Sequence, residues 1–182
     1  MTELKTSELG EGAAVVVMGD GFANTEAHRL LATRFRVVAI DAAAAPEAVA
    51  AWVAGQGLEG VGFLGLGTSA TVALKAAEAS AERAKCVVLV SPQPLPASPD
   101  PIAPGLRLPK AVLIGSRDAS QPRDAIPVWR RALPGSNVVL VFDAGADVVA
   151  DRHQAFADAA GDFLDRQGRF AFMTESVARL PA

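Results

Sequence analysis

The stretch Leu58-Glu59-Gly60-Val61-Gly62-Phe63-Leu64-Gly65-Leu66-Gly67-Thr68-Ser69-Ala70 decides the fold. It reads as a buried strand, a tight turn and the start of a helix. The turn is built from closely spaced glycines, and at position 67 the chain carries no side chain at all.

Working outward, short apolar runs alternate with helical patterns. The runs are Ala13–Met18, Arg36–Ile40, Val61–Leu64, Cys86–Val90, Ala111–Ile114 and Val138–Phe142. They are rich in Val, Leu and Ile on successive positions, as parallel strands covered on both faces should be. Asn24 is placed to cap a helix through Glu26, Leu30 and Leu31 to about Thr33. Pro46 with Glu47 begins another, which stops near Gly55-Gln56-Gly57. Ser69–Lys85 is Ala-rich, so a helix there can lie close to a sheet. A last helix, from about Asp151 to Gln167, places Phe156, Ala160, Phe163 and Leu164 on one stripe, with Gly168 as its stop. Alternating strand and helix predicts one α/β domain over 1–182: an open, mostly parallel sheet with helices on both faces. A polar lead (1–12) precedes it. A Pro-rich excursion (91–109) interrupts it and cannot form helix or central strand. A tail (169–182), with Phe170-Ala171-Phe172-Met173 as an edge strand or an extended arm, follows it.

Bulk properties remove several function classes. The chain has 182 residues, 51% hydrophobic and 20% charged, with a net charge of −3. That excludes a disordered chain, and no basic stripe marks a nucleic-acid face. No apolar run approaches the roughly 18–20 residues of a membrane helix. The start, Met1 to Glu8, is polar and lacks the apolar core of a signal peptide, so a cytoplasmic protein without a membrane or nucleic-acid partner is expected. Cys86 is the only cysteine, which rules out an intrachain disulfide and reads as a small buried hydrophobe. Two histidines without a Cys or carboxylate cluster make no metal site, and no cofactor is expected.

The segment around Gly65-Leu66-Gly67-Thr68-Ser69 resembles the nucleophile elbow of the α/β-hydrolase superfamily, whose motif is G-x-S-x-G. The resemblance covers Ala13 to about Gln167. It implies a compact member with no cap domain, because only the Pro-rich segment stands where a cap is often inserted. The early antiparallel hairpin of the fold is expected to be lost or reduced. Laid on the motif without a gap, Gly65 takes the first small position and Gly67 takes the serine. Val17-Met18-Gly19-Asp20-Gly21-Phe22 is similar to the segment that supplies one oxyanion-hole amide, with Met18 at the usual histidine. The resemblance implies that Gly19, Gly21, Phe22 and Thr68 border a vestigial pocket, with amides from Gly21 or Phe22 and from Thr68. Gly115-Ser116-Arg117-Asp118 resembles the segment ending in the triad acid, which puts Asp118 in that role. Asp143-Ala144-Gly145-Ala146-Asp147 resembles the loop that bears the histidine, with Ala146 in its place.

Two of three triad members are therefore missing, and they are the two that make and break bonds. Losing Ser or His alone removes on the order of 10⁶ in kcat in a well-studied serine protease. Glycine at 67 has a physical reason of its own. The strained turn costs a non-glycine residue roughly 1–3 kcal/mol, and glycine adopts it without a Cβ clash.

Competing readings were open at several positions. Ser69 is the fallback nucleophile, in a register shifted by two residues that would set β-branched Thr71 at a crowded position. Unshifted, it is a small residue of the first helical turn. Ser91 reads as a loop residue and Ser116 as a turn hydroxyl. His28 reads as a solvent-facing helix residue, and His153 as a solvated one that would reach the old site only if its loop folded back. Asp118, Asp143 and Asp147 are turn or cap residues in their plainest reading. Gly19-Asp20-Gly21 with Asp41, and Gly65 to Ala70, are weak matches to a dinucleotide fingerprint. The expectation is a catalytically silent binding or scaffold protein. Its partner is another subunit, a second copy, or a small molecule in the vestigial pocket. The alternatives are a small serine hydrolase acting on esters through a displaced nucleophile such as Ser69, and a small-ligand sensor that uses the vestigial pocket.

Overall fold

A computed structural model describes residues 4–19, 21–40, 43–93 and 101–166. Asp20, Asp41, the prolines at 94, 96 and 99, Gln167, the helix stop at Gly168 and the tail lie outside the described residues. In chain order the elements are β1 (Thr6–Leu9), β2 (Ala14–Met18), α1 (Glu26–Ala32), β3 (Arg36–Ile40), α2 (Pro46–Gly55) and β4 (Val61–Leu66). A 3-10 turn over Gly67–Ser69 leads into α3 (Ala70–Ala79), followed by β5 (Ala84–Val90) and β6 (Lys110–Gly115). The chain continues through α4 (Ala125–Ala132), β7 (Ser136–Val141), α5 (Val148–Asp151) and α6 (His153–Asp165).

The strands form one sheet in the order β1-β3-β2-β4-β5-β6-β7. Every pair is parallel except β1 with β3. Strands β2, β5 and β6 carry consecutive buried residues because helices cover both faces. On one face Val16, Phe63, Leu89 and Val112 pack with Val49 and Val53 of α2, Ala73 and Ala77 of α3, and Trp129 of α4. On the other, Val15, Leu64, Val88 and Leu113 pack with Leu31 of α1, Val148 of α5, and Phe156, Phe163 and Leu164 of α6. The expected doubly covered, mostly parallel sheet without a cap is what the chain builds.

Several expectations need correcting. The polar lead is not structureless, since Thr6–Leu9 forms the antiparallel edge strand β1. The early hairpin is thus reduced to one strand. Alternating exposure and a Glu8–Arg36 ion pair hold it in place of an apolar run. The α1 cap is Thr25, whose hydroxyl accepts from the His28 N–H (3.1 Å); Asn24 precedes it at φ +64. The Ala-rich helix ends at Ala79, and Ala84 and Lys85 belong to β5. The final helix is split into α5 and α6 around Arg152. Helix α4 was not foreseen. Pro127 sits in its first turn, where backbone N–H groups have no intrahelical acceptor anyway.

The contact that positions the site is the approach of α3 to β4. A Cβ on Gly65 would stand 2.6 Å from Ala73 Cβ and 2.7 Å from Ala70 Cα. Only glycine lets the helix start that close to the strand. Replacing Gly65 by Ala should therefore destabilise the fold by roughly 1–3 kcal/mol, the usual cost of overpacking. Urea unfolding checks this, and an unchanged midpoint would mean that α3 has room to move away.

Candidate functional site: a cavity above the strand-to-helix bend

Leu66 is extended, and Gly67 then turns the chain at φ +51 into the 3-10 turn and α3. A Cβ at 67 would meet nothing within 4 Å, so the space above the bend is open. Ser69 lies past the bend in right-handed helical conformation (φ −78) and is buried. The left-handed position is occupied by Gly67 and not by Ser69.

The open space is a cavity of about 660 Å³. It lies over the carboxyl ends of β2, β4 and β5, where successive strands stop adding on one side of β2 and begin adding on the other. Open α/β sheets bind ligands at such a switch point. Gly21, Phe22 and Thr25 border it from the β2 side, and Leu66, Gly67, Thr68 and Ser69 from the bend. Val90 and Ser91 come from β5, and Ala146 through Ala150 from the loop after β7. The structure brings together Gly67, Thr68, Ser69, Gly21, Phe22 and Ala146 around this one cavity. Gly19 faces elsewhere: a Cβ there would press on Leu66, and the residue borders a neighbouring hollow with Lys5 and Ile40.

Asp118 is not on the wall of this cavity. It borders a separate hollow with Arg117 and Gln121. Its Oδ1 accepts from the Ser120 N–H (2.9 Å) and hydroxyl (2.6 Å), a local turn. Its Oδ2 is buried and has no hydrogen-bond partner among the described residues. The segment is fixed to the loop after β7. The Arg117 N–H donates to the Ala144 carbonyl (2.8 Å), and the Asp143 N–H donates to Ser116 Oγ (2.9 Å). A chain of bonds also reaches the bend. Gln93 Nε2 donates to Ser120 Oγ (2.7 Å), and the Gln93 N–H donates to the Gly67 carbonyl (2.9 Å). Asp143 is exposed and paired with Arg117 and Arg152, while Asp147 caps α5 through the Ala150 N–H.

One histidine departs from expectation. His28 is fully buried, not solvent-facing. Its Nδ1 accepts from the Asn24 N–H (3.0 Å), which leaves Nε2–H to face the Val37 carbonyl (3.4 Å), with the Phe22 ring 5.4 Å away. The ring supports the loop that carries Phe22 into the cavity. Sequence spacing alone did not settle this, although His28 and Leu31, three residues apart, share the inward face of α1. Burial lowers the pKa of His28, the Val37 carbonyl opposes that, and Arg29 adds to it. His153 is exposed, yet it borders the cavity. The loop does fold back, through α5 and a bond from the Gly145 N–H to Asp151 (2.7 Å).

Other nucleophiles are poorly placed. Burial pushes the Cys86 thiol up to about 11, far from a reactive thiolate. Ser91 borders the cavity in left-handed conformation (φ +42), with its buried hydroxyl unpartnered among the described residues. No group of three His, Cys, Asp or Glu side chains gathers as a metal-ligand set among the described residues. None of their helices is long and apolar enough to cross a membrane.

No protein-family model matches the sequence, and no curated protein does. Solved structures do match. A thermophilic esterase from Thermogutta terrifontis superposes with a TM-score of 0.72 at 17% identity, over 91% of this chain and 94% of that one. The α/β hydrolase MGS-MChE2, from a sediment metagenome, gives 0.74 at 16%, over 92% and 100%. BpoC of Mycobacterium tuberculosis, described as a non-heme bromoperoxidase, gives 0.71 at 14%, over 91% and 96%. The fold is that of the α/β-hydrolases.

Two measurements follow from this geometry. Gly67→Ala should cost about 1–2 kcal/mol from the left-handed backbone alone, because nothing crowds the new methyl; urea midpoints would report it. His28 adds a pH dependence. Its folded pKa is below the unfolded value of about 6.5, so the unfolded chain takes up the proton first as pH falls. Stability should be full above about pH 6.5 and decline below it, and His28→Asn should lose that component of the slope. Urea titrations at several pH values test both statements.

Proposed function

We propose that this chain is a catalytically silent binding protein on the α/β-hydrolase fold, holding a small molecule in the cavity above Gly67. The observation that carries the reading is the bend itself. The backbone makes the turn that presents a nucleophile, and the residue there is glycine, with open space where a side chain would stand. Ala146 borders the same space at the position of the missing base. An acid that orients a base has nothing to orient, and Asp118 is left with an oxygen that has no partner among the described residues.

The cavity retains means to bind. Phe22, Leu66, Val90, Val148 and Val149 offer apolar surface, and Thr68, Ser69 and Ser91 bring hydroxyls among them. Such a mix suits a small, mostly apolar ligand with a few polar atoms. The first amides of a helical turn have no acceptor within it, so the Thr68 N–H is suited to a ligand oxygen. An open cavity favours a small-molecule occupant over a pure scaffold. A role as a subunit of an assembly is the remaining form of the same reading.

The second reading is an esterase working through Ser69. One observation favours it: Ser69 and His153 border the same cavity. A fluorophosphonate probe separates the two. The binding-protein reading expects no covalent label on the wild-type chain, together with ligand-induced thermal shifts from a panel of small esters and acids. Labelling that disappears in Ser69→Ala would replace it with the hydrolase reading.

A further inference from the structure

At the amino ends of β6 and β7, the opposite end of the parallel sheet from the cavity above Gly67, Lys110 begins β6 and is only 7% exposed. An ammonium carries three donors. Here Nζ donates to the Leu106 carbonyl (2.8 Å), and no ion pair holds it among the described residues. Burying a cation against one neutral acceptor is costly. A second cation makes it worse. Arg107 borders the same hollow of about 330 Å³, makes no ion pair among the described residues, and adds its charge to burial in lowering the Lys110 pKa.

Around these two cations the wall is apolar or backbone, with Ala103, Leu106, Pro109, Pro134 and Gly135, and it includes no carboxylate among the described residues. Glu78 approaches the loop at Gly105 but pairs with neither cation. An independent observation lies across the ladder. Ser136 is the parallel partner of Lys110, so the two side chains leave the sheet on the same face. Its hydroxyl is buried and has no partner among the described residues. A structural tie from Lys110 to Leu106 accounts for one proton of the ammonium. It leaves Arg107 and the Ser136 hydroxyl unexplained.

We infer that this hollow is a binding site for a small oxyanion, a phosphate or carboxylate group, held by Lys110 and Arg107, with Ser136 behind Lys110 on the neighbouring strand and not on the wall. The counter-charge that none of the described residues provides is what the ligand supplies, and a compact oxyanion fits the donors and the volume.

The experiment titrates the full chain with sodium phosphate and, separately, sodium acetate, against sodium chloride of equal ionic strength. Thermal midpoint and the Gly135 amide resonance are the readouts. One of the two oxyanions should raise the midpoint and move the resonance beyond the chloride control. The tighter of the pair identifies the group as phosphoryl or carboxylate. Arg107→Gln, on the surface, should weaken binding about tenfold, the worth of one charge-assisted hydrogen bond. Lys110→Met should abolish it; should that variant not fold, Arg107→Gln and Ser136→Ala decide. A wild-type response no larger than chloride, or unchanged affinity in Arg107→Gln, overturns the proposal.

Discussion

The close seat of α3 on β4 governs the rest of the molecule. Because no Cβ stands at Gly65, the helix begins almost on top of the strand. The chain must then reverse its course within one or two residues, and the left-handed conformation at Gly67 is how it does so. That bend opens the cavity and offers its carbonyl to Gln93. It is imposed by packing. It would persist whether or not the residue at the bend carried a hydroxyl.

Packing and chemistry thus make separate demands on this chain. A nucleophile and a base exist for the substrate alone, and the reading proposed above assigns their positions to Gly67 and Ala146. Asp118 has a second occupation. Its Oδ1 closes the turn with Ser120, and its neighbours bind the loop after β7. Such local structural work keeps a side chain in place independently of any chemistry beside it.

The sheet was readable in the sequence because its strands are buried on both faces and therefore apolar at every position. Strand β1 escaped for the opposite reason. It is an edge, half wet, and held by an ion pair and backbone bonds. Helix α4 escaped because its apolar content is a few residues around Trp129, and because Pro127 suggests a break where the first turn tolerates it. The bend and its glycines could be placed from spacing alone. The histidines could not: whether His28 points inward depends on the rotation of α1, and whether His153 reaches the cavity depends on how α5 folds the loop back. Both are tertiary facts with no local signature. Gly19 illustrates the reverse error. The resemblance set it on the wall of the cavity above Gly67, but Leu66 fills the space beside it and it borders only the neighbouring hollow that Gly21 also reaches.

The burial of Cys86 has a practical side. The chain owns one thiol, and it is sealed in the sheet and held in its protonated form. Electrophilic dyes and spin labels therefore find a silent background. A cysteine introduced anywhere on the rim would be the sole reactive sulfur, so the molecule arrives already prepared for single-site spectroscopy of its own interior.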